Sequence, residues 1–253
     1  MPKRRYSLTL LFMMIGIQSV SHAQVLTAQY DNFRTGADLH ETVLKPSNVN
    51  SRDFGKLFSR TVDGDVFAQP LYVPSLAIPG AGKRNVVFVA TEHDSVYAFD
   101  ANGTRDVPLW KTSFINPQHG TTTLTEQDVS CPFITPEVGI TPTPVIDAAS
   151  RTMYVLARTK EHGAFVQKLH ALDITSGKEK PGSPVVISAT VRGSGDGAVG
   201  GRISFDPLQE NPRAALLLVD GEVYLTWASS CDVGPYHGWV MAYDAILCNN
   251  MLF

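Results

Sequence analysis

Few groups in this sequence have the residue types and spacing of a reactive site. Gly195, Gly197 and Gly200 match the glycine spacing of a dinucleotide fingerprint, and Asp220 follows 20 residues after Gly200. That chemistry needs a helix starting at the glycines, whose N-terminal N–H groups hold the pyrophosphate. Pro207 and Pro212 interrupt the following segment, so a flexible loop is expected instead. Glu92-His93-Asp94 joins two carboxylates to an imidazole, types used in metal binding and proton transfer. It sits between two β-rich runs with no second ligand set at metal spacing, and reads as a solvated hairpin loop. Asp63-Gly64-Asp65 begins like a calcium loop but lacks the remaining ligands. Asn102-Gly103-Thr104 fits a glycosylation acceptor, and a turn explains it equally well. Neither Gly-x-Ser-x-Gly nor Cys-x-x-Cys occurs, so the signals for a hydrolase elbow and for thiol redox chemistry are missing. Tyr236, His237 and Trp239, around Gly238, are the candidate ligand-facing residues, since aromatics beside a flexible glycine can stack on a ligand. The competing expectation is that they pack as an aromatic strand.

The elements that position these groups are short β-rich runs separated by Gly, Pro, Asn and Asp. Asn85 to Ala90 and Ser95 to Phe99 form one pair, with Thr91 to Asp94 as the loop. Thr152 to Ala157 precedes Gln167 to Leu172 in the same style. Leu216 to Val219 and Glu222 to Trp227 flank Asp220-Gly221, a two-residue hairpin signal because both turn positions need positive φ.

A repeat organises these runs. Tyr97-Ala98-Phe99-Asp100 recurs as His170-Ala171-Leu172-Asp173 and as Met241-Ala242-Tyr243-Asp244, with 73 residues from Asp100 to Asp173 and 71 from Asp173 to Asp244. Upstream of each lies a second shared strand: Val87-Phe88-Val89, Met153-Tyr154-Val155, Val223-Tyr224-Leu225. Gln69-Pro70-Leu71-Tyr72 resembles Thr143-Pro144-Val145-Ile146 further upstream. About four strands per period is the blade of a β-propeller. The expected fold is all-β, a partial propeller of about three four-stranded antiparallel blades at roughly 55–100, 108–173 and 183–244. The small Ala lets the next strand approach, Asp ends the strand by bonding turn N–H groups, and Gly177 supplies positive φ. Trp110 is expected to pack between neighbouring blades.

Ala171, Asp173, Ser176 and Gly177 follow the pattern Ala-x-Asp-x-x-Thr/Ser-Gly. Together with Ala98, Asp100, Trp110, Ala242 and Asp244, they make the chain similar to the tryptophan-docking repeat of quinoproteins that use pyrroloquinoline quinone (PQQ). Pro181 stands where the second repeat's Trp would be. Tyr30-Asp31-Asn32 through Leu44 to Val49 resembles the N-terminal stretch of quinoprotein alcohol dehydrogenases, and Gly238 to Asp244 resembles one of their strands. The resemblance implies a propeller fold over most of residues 28–244. Such rings usually close with about six to eight blades, so about three leave a segment that is incomplete and prone to associate. For chemistry the resemblance implies PQQ with calcium and oxidation of an alcohol or sugar. The motifs that would hold the cofactor are altered: Phe67 stands in place of a Glu, Pro132 follows Cys131 where the enzymes have adjacent cysteines, and Gly139-Ile140-Thr141-Pro142 lacks their Arg. Tight PQQ binding is therefore not expected and no catalytic residue is assigned. The expected function is an exported PQQ-like repeat protein acting as a binding or scaffolding module, with the PQQ- and calcium-dependent dehydrogenase as the alternative.

Residues 1–23 read as a secretory signal: Lys3-Arg4-Arg5, an apolar run from Leu8 to Ile17, and small residues at Ser21 and Ala23. Cleavage between Ala23 and Gln24 places the mature protein outside the cytoplasm, secreted or periplasmic. The run is shorter than the ~20 residues of a membrane span, and no later segment is apolar enough. Net charge is −3, without a basic run, which disfavours nucleic acid. The expected partner is a protein, a small molecule or further blades. Export permits a disulfide; among Cys131, Cys231 and Cys248, Cys131 and Cys231 are the expected pair. Residues 245–253 replace the expected turn with an aberrant tail.

Overall fold

The structure is a computed structural model that describes residues 24–39 and 41–245, and the backbone of 251–252. The expected signal through Ala23, and Cys248, lie outside the described residues. Extended, β-branched and aromatic runs form antiparallel strands in sequence order. β1 (Leu71–Ile78), β2 (Gly82–Ala90), β3 (Ser95–Asp100) and β4 (Trp110–Ser113) make a four-stranded meander. The connection that follows carries β5 (Thr121–Thr125), the single-turn helix α1 (Glu126–Val129) and β6 (Glu137–Val138). A second meander is built from β7 (Val145–Asp147), β8 (Thr152–Glu161), β9 (Ala164–Asp173) and β10 (Val185–Val186), with β5 added along the far end of β8. β11 (Thr190–Arg192) and β12 (Arg202–Ser204) form a separate hairpin, and β13 (Glu210–Asn211) pairs with the end of β15. The third meander is β14 (Leu217–Val219), β15 (Glu222–Ser229), β16 (Trp239–Asp244) and β17 (Met251–Leu252). None of the sheets closes on itself.

The sequence repeat is a repeat in register. Leu71 faces Phe88, which faces Ala98; Val145 faces Tyr154, which faces Ala171; Leu217 faces Tyr224, which faces Ala242. The sheets are nevertheless offset from the segments expected from sequence. β4 belongs with β3 and β10 with β9, whereas the sequence repeat places both in the following unit. Residues 55–70 contain no strand. The reason is local: Asp100 and Asp173, at the ends of β3 and β9, turn the chain back along those strands, so the next run completes the same sheet. Asp173 shows the device, with Oδ1 accepting from Thr175 N (2.8 Å) and Ser176 Oγ (3.3 Å).

The sheets pack face to face. Along β8, Met153, Val155 and Ala157 join a core with β1–β3, while Tyr154 and Leu156 join a core with β15 and β16. Burial on both faces explains why this strand is apolar without alternation, and each large side chain so buried contributes about 1.5–3 kcal/mol. Trp110 bridges the first two sheets. Its Nε1–H donates to the Ile174 carbonyl (3.0 Å), and its ring lies 5.7 Å from that of Phe88. Gly177, at φ +70°, lets the indole approach: a Cβ there would sit 2.6 Å from Trp110 Cε3.

The N-terminal arm straps the first strands together. Val25 exchanges backbone bonds with Tyr72 (2.8 and 2.9 Å), and Leu26 accepts from Ile146 N (2.8 Å). Arg34 Nη2 and Asn32 Nδ2 then donate to the carbonyls of Leu216 and Leu218, both at 2.9 Å. The arm thereby covers edge groups that would otherwise invite foreign strands. No helix among the described residues is long and apolar enough to cross a membrane.

Candidate functional site

The Thr91–Asp94 turn joins β2 to β3, and it is not the solvated loop its composition suggested. Glu92 is 1% exposed and Asp94 0%. Two neighbouring segments cover it. The Asp63–Asp65 turn lies on one side: Glu92 N donates to the Asp65 carbonyl (2.9 Å), and the Asp63 carboxylate accepts from Thr91 Oγ1 (3.0 Å), Ser95 Oγ (2.8 Å) and Lys111 Nζ (2.7 Å). The calcium-like Asp63 is thus a structural cap. On the other side Gly139 N and Thr141 Oγ1 donate to Glu92 Oε2 at 2.7 and 3.1 Å. Gly139 has no room for a side chain, because a Cβ would lie 2.4 Å from the Glu92 carbonyl oxygen and 2.9 Å from the Asp94 carboxyl. His93 stays half-buried, with Nδ1 2.6 Å from Glu137 Oε2.

Behind this turn lies Arg158 of β8, fully buried, on the strand face that looks toward the third sheet. Its hydrogen bonds go to neutral oxygens, Leu208 O (2.9 Å) and Asn211 Oδ1 (3.4 Å). Glu92, Asp94, Asp206 and Glu210 surround it electrostatically. Burial pulls the guanidinium down to about 10 despite these four acids. Burial likewise pushes Glu92 and Glu210 up to about 7, and Asp94 well above the carboxylate range. Arg158 Nε, Glu92 Oε1 and Glu210 Oε2 have no hydrogen-bond partner among the described residues, and the Asp94 carboxyl has at most a weak bond from the Arg158 backbone N–H. Such a cluster stays buried only with part of its charge neutralised by protons.

The cluster has a pH signature. Glu92 and Glu210 hold protons in the folded state that the unfolded chain loses near pH 4.5, so stability falls as pH rises from about 5 to about 7 and then levels off. Each carboxyl contributes up to about 3 kcal/mol to that fall. Urea midpoints should therefore decline across this window, and decline about half as much in Glu92→Gln, where Glu210 alone still titrates. A midpoint that rises from pH 5 to pH 7 contradicts the assignment.

Arg158 also lines an open cavity of about 470 Å³. Phe67, Phe133, Ile134 and Val138 form an apolar wall, and Arg158, Asn211, Arg213, Ser229 and Asp232 a polar one. Cys131 and Cys231 are joined by a disulfide with Cα atoms 5.6 Å apart, and both line the cavity. The bridge ties the loop before β6 to the loop after β15, two walls far apart in sequence.

The three aromatic-loop candidates separate. Trp239 is core, packed edge-on to Phe205 and donating from Nε1 to Glu210 Oε1 (3.0 Å). Strand alternation turns it inward, as the aromatic-strand expectation has it for this residue. Tyr236 is exposed, and His237 Nε2–H donates to the Asp196 carbonyl (2.7 Å). His237 lines a second cavity, of about 510 Å³, beneath the β11–β12 hairpin. Gly195, Gly197 and Gly200 lie in the turn of that hairpin, where the chain returns as a strand. The repeat residues Ala98, Asp100, Ala171, Asp173, Ala242 and Asp244 occupy third-strand positions and line neither of these two cavities, although Ala171 borders a third, beside Lys180 and Ala245.

Arg158, Asn211, Glu210 and Arg213 were not singled out from sequence. Arg158 carried a signal, a cation ending the apolar run Met153–Ala157 in a strand too apolar to be half-exposed. Asn211 and Arg213 carried none, because their loop folds onto β15 only in three dimensions. No group of three or more His, Cys, Asp or Glu that could hold a metal ion exists among the described residues. No protein-family model matches the chain, and no curated protein does.

Proposed function

We propose that this chain is an exported module built from PQQ-like β-propeller blades, and that it binds a small organic anion with an apolar body in the cavity beside Arg158. The observation that carries the reading is the pairing of a fully buried guanidinium and an exposed one, Arg158 and Arg213, with a wall of Phe67, Phe133 and Ile134 in one cavity of about 470 Å³. Cavities of that size with few polar groups suit small ligands, and guanidinium groups suit carboxylates. Three register-matched meanders stacked face to face support the propeller reading. The basic-apolar N-terminus and the disulfide support a place outside the cytoplasm. Phe33 and Leu57, each 91% exposed, support a role for further blades or a protein partner along the N-terminal arm.

The dehydrogenase reading keeps one supporting observation, a disulfide and two arginines in a single cavity. The fit to the cofactor is poor. PQQ presents three carboxylates to two guanidiniums, and an unpaired buried carboxylate costs several kcal/mol. Titrating the oxidised chain with 2-naphthoate, its neutral amide, and PQQ with calcium separates the readings. Saturable naphthoate binding with weak amide and PQQ binding is expected. Saturable micromolar PQQ binding with dye-linked alcohol oxidation would establish the enzyme instead.

A further inference from the structure

The first sheet meets the second as the second meets the third, with one difference. Between the first two, the indole of Trp110 fills the space: Nε1–H donates to the Ile174 carbonyl at 3.0 Å, and the ring lies 5.7 Å from that of Phe88. Backbone bonds fix the matching place between the second and third. Leu109 N donates to the Ala98 carbonyl (2.7 Å) and Lys180 N to the Ala171 carbonyl (2.8 Å), so Pro181 stands where Trp110 stands one sheet earlier. Ile174 N donates to the Arg151 carbonyl (3.1 Å) and Ala245 N to the Gly221 carbonyl (2.8 Å), so Ala245 is the counterpart of Ile174. An open cavity of about 580 Å³ lies at this place, lined by Ala171, Pro181, Leu218 and Ala245, with Asp147 and Lys180 at its border. It shares no lining residue with the cavity beside Arg158.

Tyr154, the register counterpart of Phe88, donates its hydroxyl to the Ala245 carbonyl. The acceptor that Trp110 serves one sheet earlier is thus satisfied here, while the space of the ring stays open. Two charged groups are held beside it. Lys180 Nζ donates to the Ser150 carbonyl and to Thr152 Oγ1, both at 2.6 Å, which accounts for two of its three N–H donors. The Asp147 carboxylate accepts from Ala149 N (3.0 Å) and Ser150 Oγ (2.6 Å).

We infer that this cavity binds a free aromatic amino acid. Its ring takes the place that the Trp110 indole takes between the first two sheets, its carboxylate meets Lys180, and its ammonium meets Asp147. Burial of the ring supplies most of the affinity, and the two charges orient the ligand.

The test is a calorimetric titration of the oxidised chain at pH 7 with L-tryptophan, N-acetyl-L-tryptophanamide and L-alanine. Tryptophan should bind saturably. The amide has the ring but neither charge, as in a tryptophan within a peptide, and should bind at least about tenfold more weakly. Alanine, which has the charges without the ring, should not bind. Pro181→Trp supplies the ring from the chain itself and should abolish tryptophan binding. Lys180→Gln, at a half-exposed position, should weaken tryptophan to about the level of the amide, and decides the matter if the Pro181 variant does not fold. No saturable tryptophan binding to the folded wild type, equal binding of the amide or of alanine, or an affinity for tryptophan unchanged in either folded variant would overturn the assignment.

Discussion

Replacing Cys131 and Cys231 together by serine is expected to destabilise the oxidised protein by about 4–5 kcal/mol. The bridge closes a chain segment with a sequence separation of 100 residues, and the chain-entropy model gives about 4.7 kcal/mol for a loop of that length. That is a large part of the 5–15 kcal/mol typical of a domain. The loops it joins have little regular structure of their own: a single-turn helix on one side and a short 3₁₀ turn on the other. Without the bridge each loop keeps only its own local backbone bonds, such as Ser230 N to the Gln209 carbonyl (2.8 Å) and Cys131 N to the Glu126 carbonyl (3.1 Å), so the cavity beside Arg158 should lose its walls as stability falls. Urea unfolding of the double variant, and of the wild type with and without reductant, measures the effect. Midpoints that agree within the equivalent of 1 kcal/mol would show that the loops are held by other means.

Arg158→Met is expected to cost about 3–5 kcal/mol at pH 8, because it leaves buried acids without their cation. Methionine preserves the length and apolar stem of the side chain, which limits the packing defect. The pH dependence identifies the cause. Glu92 and Glu210 titrate near 7, so at pH 5 they are protonated and need no cation. The difference between variant and wild type should shrink markedly at pH 5. A packing defect alone would give the same loss at both pH values.

The repeat was legible because each Ala-x-Asp marks the same register position on a third strand, and strand pairing is local. The unit boundaries were not, because a sequence alone does not show whether the run after a turn returns to the old sheet or begins a new one. Trp110 was readable as a bridging aromatic, since an indole that follows the repeat Asp needs both an apolar face and an acceptor for its N–H. The burial of Glu92 and Asp94 was hidden. It depends on Asp65 and Gly139, which lie 27 and 47 residues away from Glu92 and reach it only through the stacking of sheets. The cavity beside Arg158 was hidden for the same reason, as its walls come from five separated segments joined by the disulfide.

The most direct test of the anion site is isothermal titration of 2-naphthoate into the oxidised wild type and into Arg213→Gln. Arg213 is exposed, so its replacement leaves the fold intact while removing the exposed guanidinium of the cavity, Arg158 being held among buried acids. Saturable binding that weakens about tenfold in the variant and falls with added salt is the predicted result. Equal affinity for both proteins, or no saturable binding to the folded wild type, would contradict an anion site in this cavity.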